Sequence, residues 1–296
     1  MPSIPIDILL LILDHVDKAD LLTICLLNKT CCSCSQDILY RDIRIDGDSG
    51  NTPVIQTLAQ STYLAKRVHS FKITNYEKKA IKKLCDNPEL WISFQNMTYL
   101  RSLHLDYFTG RFSALRRCTF KLASFCCRRF YFKPLRRFLI SQPSLTDVEL
   151  GILMDSGNFK FGPTVLPNLT RLATFSPWLP QLIPNRPVNE VIWEGSVLLV
   201  WRSVYEEEFV DEDYMDDEDS ADLEDSPHVA DDEDSVGEDS VDLSFFALST
   251  TQIHKLQIDY TFIYPKPAQL LASIFPSLTR LSIHAAHDIS NMWIVR

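Results

Sequence analysis

Three near copies of one six-residue phrase restrict the fold more than any other feature. They are Pro143-Ser144-Leu145-Thr146-Asp147-Val148, Pro167-Asn168-Leu169-Thr170-Arg171-Leu172 and Pro276-Ser277-Leu278-Thr279-Arg280-Leu281. The first two begin 24 residues apart and the last two 109. Between the last two lies a run, Glu206 to Asp242, that holds 20 Asp and Glu and no Lys or Arg. Treating Val204 to Leu243 as an insert shortens that longer separation to roughly three periods of the same kind, each of a length, ~20–29 residues, that suits one small strand-and-turn unit of a stacked array. A unit of that length cannot bury its own apolar side, and stacking on its neighbours completes the core. The phrase therefore implies a linear array with one interruption.

A shorter pattern, apolar-x-x-apolar-x-apolar, places the strands. It recurs at Val68/Phe71/Ile73, Leu100/Leu103/Leu105, Leu115/Cys118/Phe120, Leu145/Val148/Leu150, Val188/Val191/Trp193, Ile253/Leu256/Ile258 and Leu278/Leu281/Ile283. With 46% apolar residues about 28 matches arise by chance, so the longer phrase carries the argument. Outside the insert the implied repeats are irregular, the longest about twice the length of the shortest. Positions two apart share one face of a strand, so Leu103/Leu105, Val148/Leu150 and Leu281/Ile283 are predicted to point inward. The alternating positions, Asp147 among them, then form a polar stripe, and the candidate target surface is drawn from it: Lys72, His104, Asp106, Arg117, Lys121, Glu149, Glu190, Glu194, Lys255, Asp259, Arg280 and His284. Between strands, Pro134 to Ile140 is predicted to be a helix with Leu135, Phe138 and Leu139 on one face.

The first forty residues read differently. Pro5 suits the first turn of a helix, and Ile6, Leu9, Leu10, Leu13 and Val16 repeat at helical spacing, with Ile8 and Ile12 widening the stripe. Asp17 is placed to cap a second helix through Leu21 to Leu27, Asn28 to close it, and Cys31 to Ile38 to form a third. Three short helices cannot hide this much apolar surface among themselves. The excess must meet a neighbour.

These residues resemble the F-box, in the form common among fungal F-box proteins. The resemblance rests on Ile4-Pro5-Ile6-Asp7-Ile8-Leu9 with Ile12-Leu13, then Asp20-Leu21-Leu22 with Cys25-Leu26-Leu27-Asn28-Lys29, then Ile38-Leu39-Tyr40-Arg41. Ile4 stands where Leu is usual, and Cys31 where Trp is common. The resemblance implies that Ile4, Pro5, Ile8, Leu9, Ile12, Leu13, Leu21, Leu22 and Leu26 contact a Skp-type linker of a cullin-RING ligase. The later period is similar to that of leucine-rich repeats. An F-box followed by degenerate leucine-rich repeats is a common layout, in which the repeats select the substrate. The expected fold is α/β: an F-box over 1–45, an irregular leucine-rich-repeat-like solenoid over 46–203 and 244–296, and an acidic disordered insert over 204–243. The expected function is non-catalytic, a substrate-recognition adaptor of an SCF-type ubiquitin ligase holding a protein target.

Other chemistry finds little footing. Neither glycine-rich phosphate loop is present. Cys31-Cys32-Ser33-Cys34 lacks a second ligand pair at zinc spacing, so neither a metal nor a cofactor is expected. The acidic run leaves 19 acids against 29 bases elsewhere, about +10 for the rest of the chain. Within 116–137, Arg116, Arg117, Arg128, Arg129, Lys133, Arg136 and Arg137 interleave with Phe125, Phe130, Tyr131 and Phe132, which makes nucleic-acid binding an alternative reading. A repeat scaffold not engaged with a ligase is another. No basic, apolar leader opens the chain, and its first apolar run, Ile8 to Leu13, falls far short of the ~20 residues that cross a bilayer. A reducing compartment, cytoplasmic or nuclear, with no membrane partner is therefore expected.

Overall fold

The computed structural model describes residues 4–46, 52–74, 84, 86–108, 110–153, 160–162, 164–175, 178–194, 246, 249, 251–260, 277–285 and 292–295. The acidic insert lies outside them. The fold is mixed α/β. Three helices come first, α1 (Ile6–Leu13), α2 (Lys18–Ile24) and α3 (Lys29–Leu39). They lead into one sheet of ten strands: β1 (Asp42–Asp46), β2 (Ser70–Thr74), β3 (Ser102–Phe108), β4 (Ser124–Phe130), β5 (Asp147–Leu153), β6 (Arg171–Phe175), β7 (Glu190–Glu194), β8 (Lys255–Tyr260), β9 (Arg280–Ala285) and β10 (Met292–Val295). Each strand lies beside its predecessor in sequence. The first nine are parallel and β10 turns back antiparallel. Helices α4 (Thr52–Gln60), α5 (Thr62–Ala65), α6 (Pro88–Asn96), a 3-10 helix (Gly110–Arg117), α7 (Phe132–Ile140) and α8 (Leu179–Leu182) fill the connections.

Register explains the sequence pattern. Ile43, Phe71, Leu103, Phe125, Val148, Leu172, Val191, Leu256 and Leu281 stand opposite one another across nine strands. All but Ile43, which packs against the core from its edge, belong to one continuous buried cluster. Two residues on, Ile45, Ile73, Leu105, Cys127, Leu150, Thr174 and Trp193 make a second inward row. Leu135, Phe138 and Leu139 of α7 close over this core, with Phe138 5.2 Å from Phe125 between ring centroids.

Three positions of the repeated phrase have a visible part. Leu145 and Leu169 are buried, and Leu278 packs against the same cluster. Ser144 and Asn168 donate to the backbone of the preceding unit, at Leu122 O (2.8 Å) and Pro143 O (2.9 Å). The Thr146, Thr170 and Thr279 hydroxyls donate to Ala123 O (3.1 Å), Thr146 O (3.0 Å) and His254 O (2.9 Å). Each such bond contributes about 1 kcal/mol net, and together they help to fix where β5, β6 and β9 begin.

One predicted strand is displaced. Leu115/Cys118/Phe120 fits the short pattern, yet Arg117 ends the 3-10 helix and Lys121 sits in the segment after it. The strand forms one step later on Leu122/Phe125/Cys127, where Ser124 meets Ser102 of β3. Leu122 lies almost midway between Leu100 and Leu145, so the two repeats it bounds become nearly equal, where Leu115 makes one of them twice the other. β6 escapes the pattern because Thr174, polar but fully buried, occupies its third inward position. Residues 42–46, at the end of the predicted first module, form the edge strand of the sheet. β7 pairs directly with β8, Val191 opposite Leu256, so the long connection leaves and returns without interrupting the sheet.

Candidate functional site

Two surfaces stand out, one on the N-terminal helices and one on the polar face of the sheet. α1 has the sequence IDILLLIL, apolar on every side but one. A helix of that kind needs cover on more than one face. Both α1 and α2 pack on α3, where Leu13, Leu21 and Cys34 form a small buried core edged by Leu9, Leu10, Val16, Ile24, Ile38 and Leu39. Asn28 opens α3 rather than closing α2, accepting from Cys31 N–H at 2.8 Å. Asp17 stands at the α2 N-cap but makes no capping bond.

That core covers only part of the apolar surface. Ile4 is 59% exposed, Ile8 48%, Leu11 63% and Ile12 50%, and their spacing draws one stripe along α1. Leu22 at 61%, Leu26 at 84% and Leu27 at 69% continue the exposure over α2 and its exit. Together with Ile6 these are eight of the twelve large apolar residues found exposed among the described residues. Full burial of one Leu or Ile is worth ~1.5–3 kcal/mol, so covering the uncovered half or more of eight gives roughly 10 kcal/mol gross. Of the nine residues predicted for the contact, Ile4, Pro5, Ile8, Ile12, Leu22 and Leu26 are exposed and Leu9 is half-buried. Leu13 and Leu21 are not surface residues at all, because they fill the small core. Ile6, Leu11 and Leu27 join the stripe unpredicted, although an all-round apolar helix already signals the first two.

α3 ties this unit to the sheet. Arg67, in the turn after α5, donates to Ser33 O and Ser33 Oγ, both at 3.2 Å, pairs with Asp37, and lies 4.3 Å from the Tyr63 ring centroid. Arg41 bonds Asp14 at 2.8 Å. The rest of the chain thus grips α3 and the end of α1, and leaves the stripe open.

On the sheet, the charged residues form ordered rows. Asp147, Arg171, Glu190, Lys255 and Arg280 stand opposite one another on β5 to β9. Arg171 bonds Asp147 at 2.7 Å and approaches Glu190 at 3.4 Å, and Lys255 meets Glu190 at 3.5 Å. Burial works to lower the Arg171 pKa, but the bonds and charges of Asp147 and then Glu190 outweigh it and raise the value. The acids of this row are therefore already neutralised, and it runs out in Lys255 and Arg280, both exposed. The short pattern does not pick out Arg171, though it occupies the same place in its phrase as Arg280.

The next row contains Lys72, His104, Cys126 and Glu149. Asp106 does not join the surface: it is 8% exposed, between His104 Nε2 at 3.5 Å and Arg128 Nε at 3.8 Å. Cys126 Sγ lies 3.9 Å from the same His104 Nε2. One ring nitrogen serves both neighbours, so the imidazole cannot pass a proton between thiol and carboxylate as a nucleophilic relay requires. Burial first, and then Glu149, push the Cys126 thiol far up, opposite to what an activated thiolate needs. Glu194, Asp259 and His284 are in register on β7, β8 and β9, and their side chains lie outside the described residues. Arg117 and Lys121 are exposed away from the sheet.

The basic–aromatic segment also divides. Phe125, Phe130 and Phe132 are buried, the last stacked on Trp178 at 5.6 Å between centroids. Of the four aromatics named for that reading only Tyr131 keeps part of its surface, half-buried, so little is left for stacking on bases. Among the described residues no three His, Cys, Asp or Glu side chains gather as a metal ion would require, and no helix is long and apolar enough to cross a membrane. A scan against protein-family models finds no match for this chain, and a search of curated proteins finds no relative.

Proposed function

We propose that the chain is a non-catalytic adaptor of an SCF-type ubiquitin ligase. The N-terminal helices are its F-box, and the strand–helix array is a degenerate leucine-rich-repeat solenoid that presents the polar sheet face to a protein target. The observation that carries this reading is the stripe of Ile4, Ile8, Leu11, Ile12, Leu22 and Leu26, about half or more exposed in a unit otherwise anchored to the body. The gross gain from covering it exceeds the low end of the ~4–15 kcal/mol that association costs. A Skp-type linker is a partner of that chemistry. The adaptor's contribution is proximity: it holds a target lysine near the conjugating enzyme and makes transfer effectively intramolecular.

The test is a pull-down with a recombinant Skp-type linker. Ile8→Asp with Leu26→Asp places two carboxylates on the exposed stripe and should abolish capture while leaving the thermal melt unchanged. Leu13 and Leu21 are unsuitable for this purpose, since charge there disrupts the core. Failure of the unaltered chain to bind the linker at micromolar concentration would remove the ligase from the account.

A further inference from the structure

Five cations, Arg116, Arg117, Lys121, Lys133 and Arg137, are exposed on neighbouring elements. None has an ion-pair partner among the described residues. Arg116 and Arg117 end the 3-10 helix, Lys133 and Arg137 lie one turn apart on α7, and the two elements pack together. Arg136, half-buried among them, has an Nε that meets no acceptor. Uncompensated like charge at this density repels itself and attracts anions.

The same chain carries the complement. Glu206 to Asp242 holds 20 carboxylates and no Lys or Arg. Because the strands are parallel, their C-terminal ends share one edge of the sheet. β7 leaves from that edge toward the acidic run and β8 begins at the opposite one, so the connection that carries the acidic run starts at one edge and ends at the other. β4 leads from the first edge into α7 and Lys133, while Arg116, Arg117 and Lys121 lie on the return path toward the start of β4. β4 and β7 are three strand spacings apart, about 15 Å. The stretch from Glu194 to Glu206 spans up to about 40 Å when extended. Tethering over such a distance gives roughly millimolar effective concentration. Phe125, Phe130 and Phe132 are buried and Tyr131 is half-buried, so among the described residues little ring surface is left for base stacking, which favours a polypeptide over a nucleic acid.

We propose that this basic cluster is a docking surface for an acidic polypeptide, and that the chain's own Glu206–Asp242 segment is its resident occupant. An acidic target must then displace that segment to reach the cluster. The test uses the intact chain: zero-length carbodiimide cross-linking at low salt, with the products mapped by mass spectrometry. Links from the acidic run should concentrate on Lys121 and Lys133. They should fall at least tenfold in an Arg116→Ser, Arg117→Ser, Arg137→Ser variant, whose fold is checked by its thermal melt, and at high salt, where screening is short-ranged. Excess poly-glutamate should displace the intramolecular links, whereas a single-stranded RNA of equal length should not. Links spread evenly over Lys18, Lys66 and Lys255, links unchanged in the folded triple variant, or displacement by RNA in preference to poly-glutamate would overturn the proposal.

Discussion

Replacing Arg186 by Met should destabilise the chain by about 3 kcal/mol, because the lost guanidinium leaves buried acceptors without a donor. Arg186 is 1% exposed. Its Nε donates to Val165 O at 2.8 Å, its Nη1 to Gln181 O at 2.9 Å and Pro184 O at 3.0 Å, and its Nη2 to Gly162 O at 2.9 Å. Among the described residues the partners are four backbone carbonyls and no carboxylate, and burial pulls the pKa down. Met fills a similar volume but leaves all four acceptors stranded. Each stranded acceptor costs ~1–3 kcal/mol. Water entry and loop relaxation hold the sum near the lower bound, and the buried thioether returns ~1–2 kcal/mol. A net loss of about 3 kcal/mol lowers the melting temperature by roughly 6–12 °C for a fold of this size. Circular-dichroism melts and urea titrations measure it. The loss should be the same in mildly acidic and mildly alkaline buffer, because Arg stays charged throughout. A variant as stable as the parent, within the scatter of an ordinary surface substitution, would refute the reasoning, since it would show that these carbonyls need no buried donor.

Deleting 204–243 should leave the sheet intact, because β7 and β8 already pair. Shortening the connection between Glu194 and Lys255 about threefold should stabilise it by roughly 1 kcal/mol, and loss of a cooperative melt would contradict this. Gly151→Ala should cost ~2 kcal/mol or more, because an added Cβ would stand 2.1 Å from the Arg128 carbonyl oxygen of β4, and the urea midpoint checks it. Burial pushes the Cys118 thiol up to about 12 from 9.0. The folded state therefore holds that proton more tightly than the unfolded chain, so its stabilising share is complete below pH 9.0 and is lost as pH rises toward 12. In alkylation under mildly alkaline conditions, Cys118 should react only after unfolding, and rapid labelling of the native chain would contradict the assignment.

Much of the array is legible in the sequence itself. The Pro-Ser/Asn-Leu-Thr phrase locates strand starts because Leu, Thr and the Ser or Asn each have a fixed part in joining one unit to the next. Setting aside Val204 to Leu243 restores the period in the sequence, and the strands on either side of the long connection, β7 and β8, pair directly. Where the reading fails, the reason is specific. The short apolar pattern fits both Leu115/Cys118/Phe120 and Leu122/Phe125/Cys127, and it takes equal repeat length or the neighbouring strand to choose the second. Thr174 hides β6 because an inward position need not be apolar. Helical periodicity gives Leu13 and Leu21 a face, and says nothing of which side of a small bundle that face covers. Alternation puts Asp106 outside, yet His104 and Arg128 close over it.

The central claim is that the open stripe on α1 and α2 is a docking site for the ligase linker. Hydroxyl-radical footprinting of the chain with and without a recombinant Skp-type linker tests it side chain by side chain. Ile8, Ile12, Leu22 and Leu26 should oxidise readily in the free chain and lose most of that reactivity in a one-to-one complex, while Leu13 and Leu21 stay protected in both. Equal oxidation of the stripe with and without linker, or protection confined to the sheet, would contradict the account.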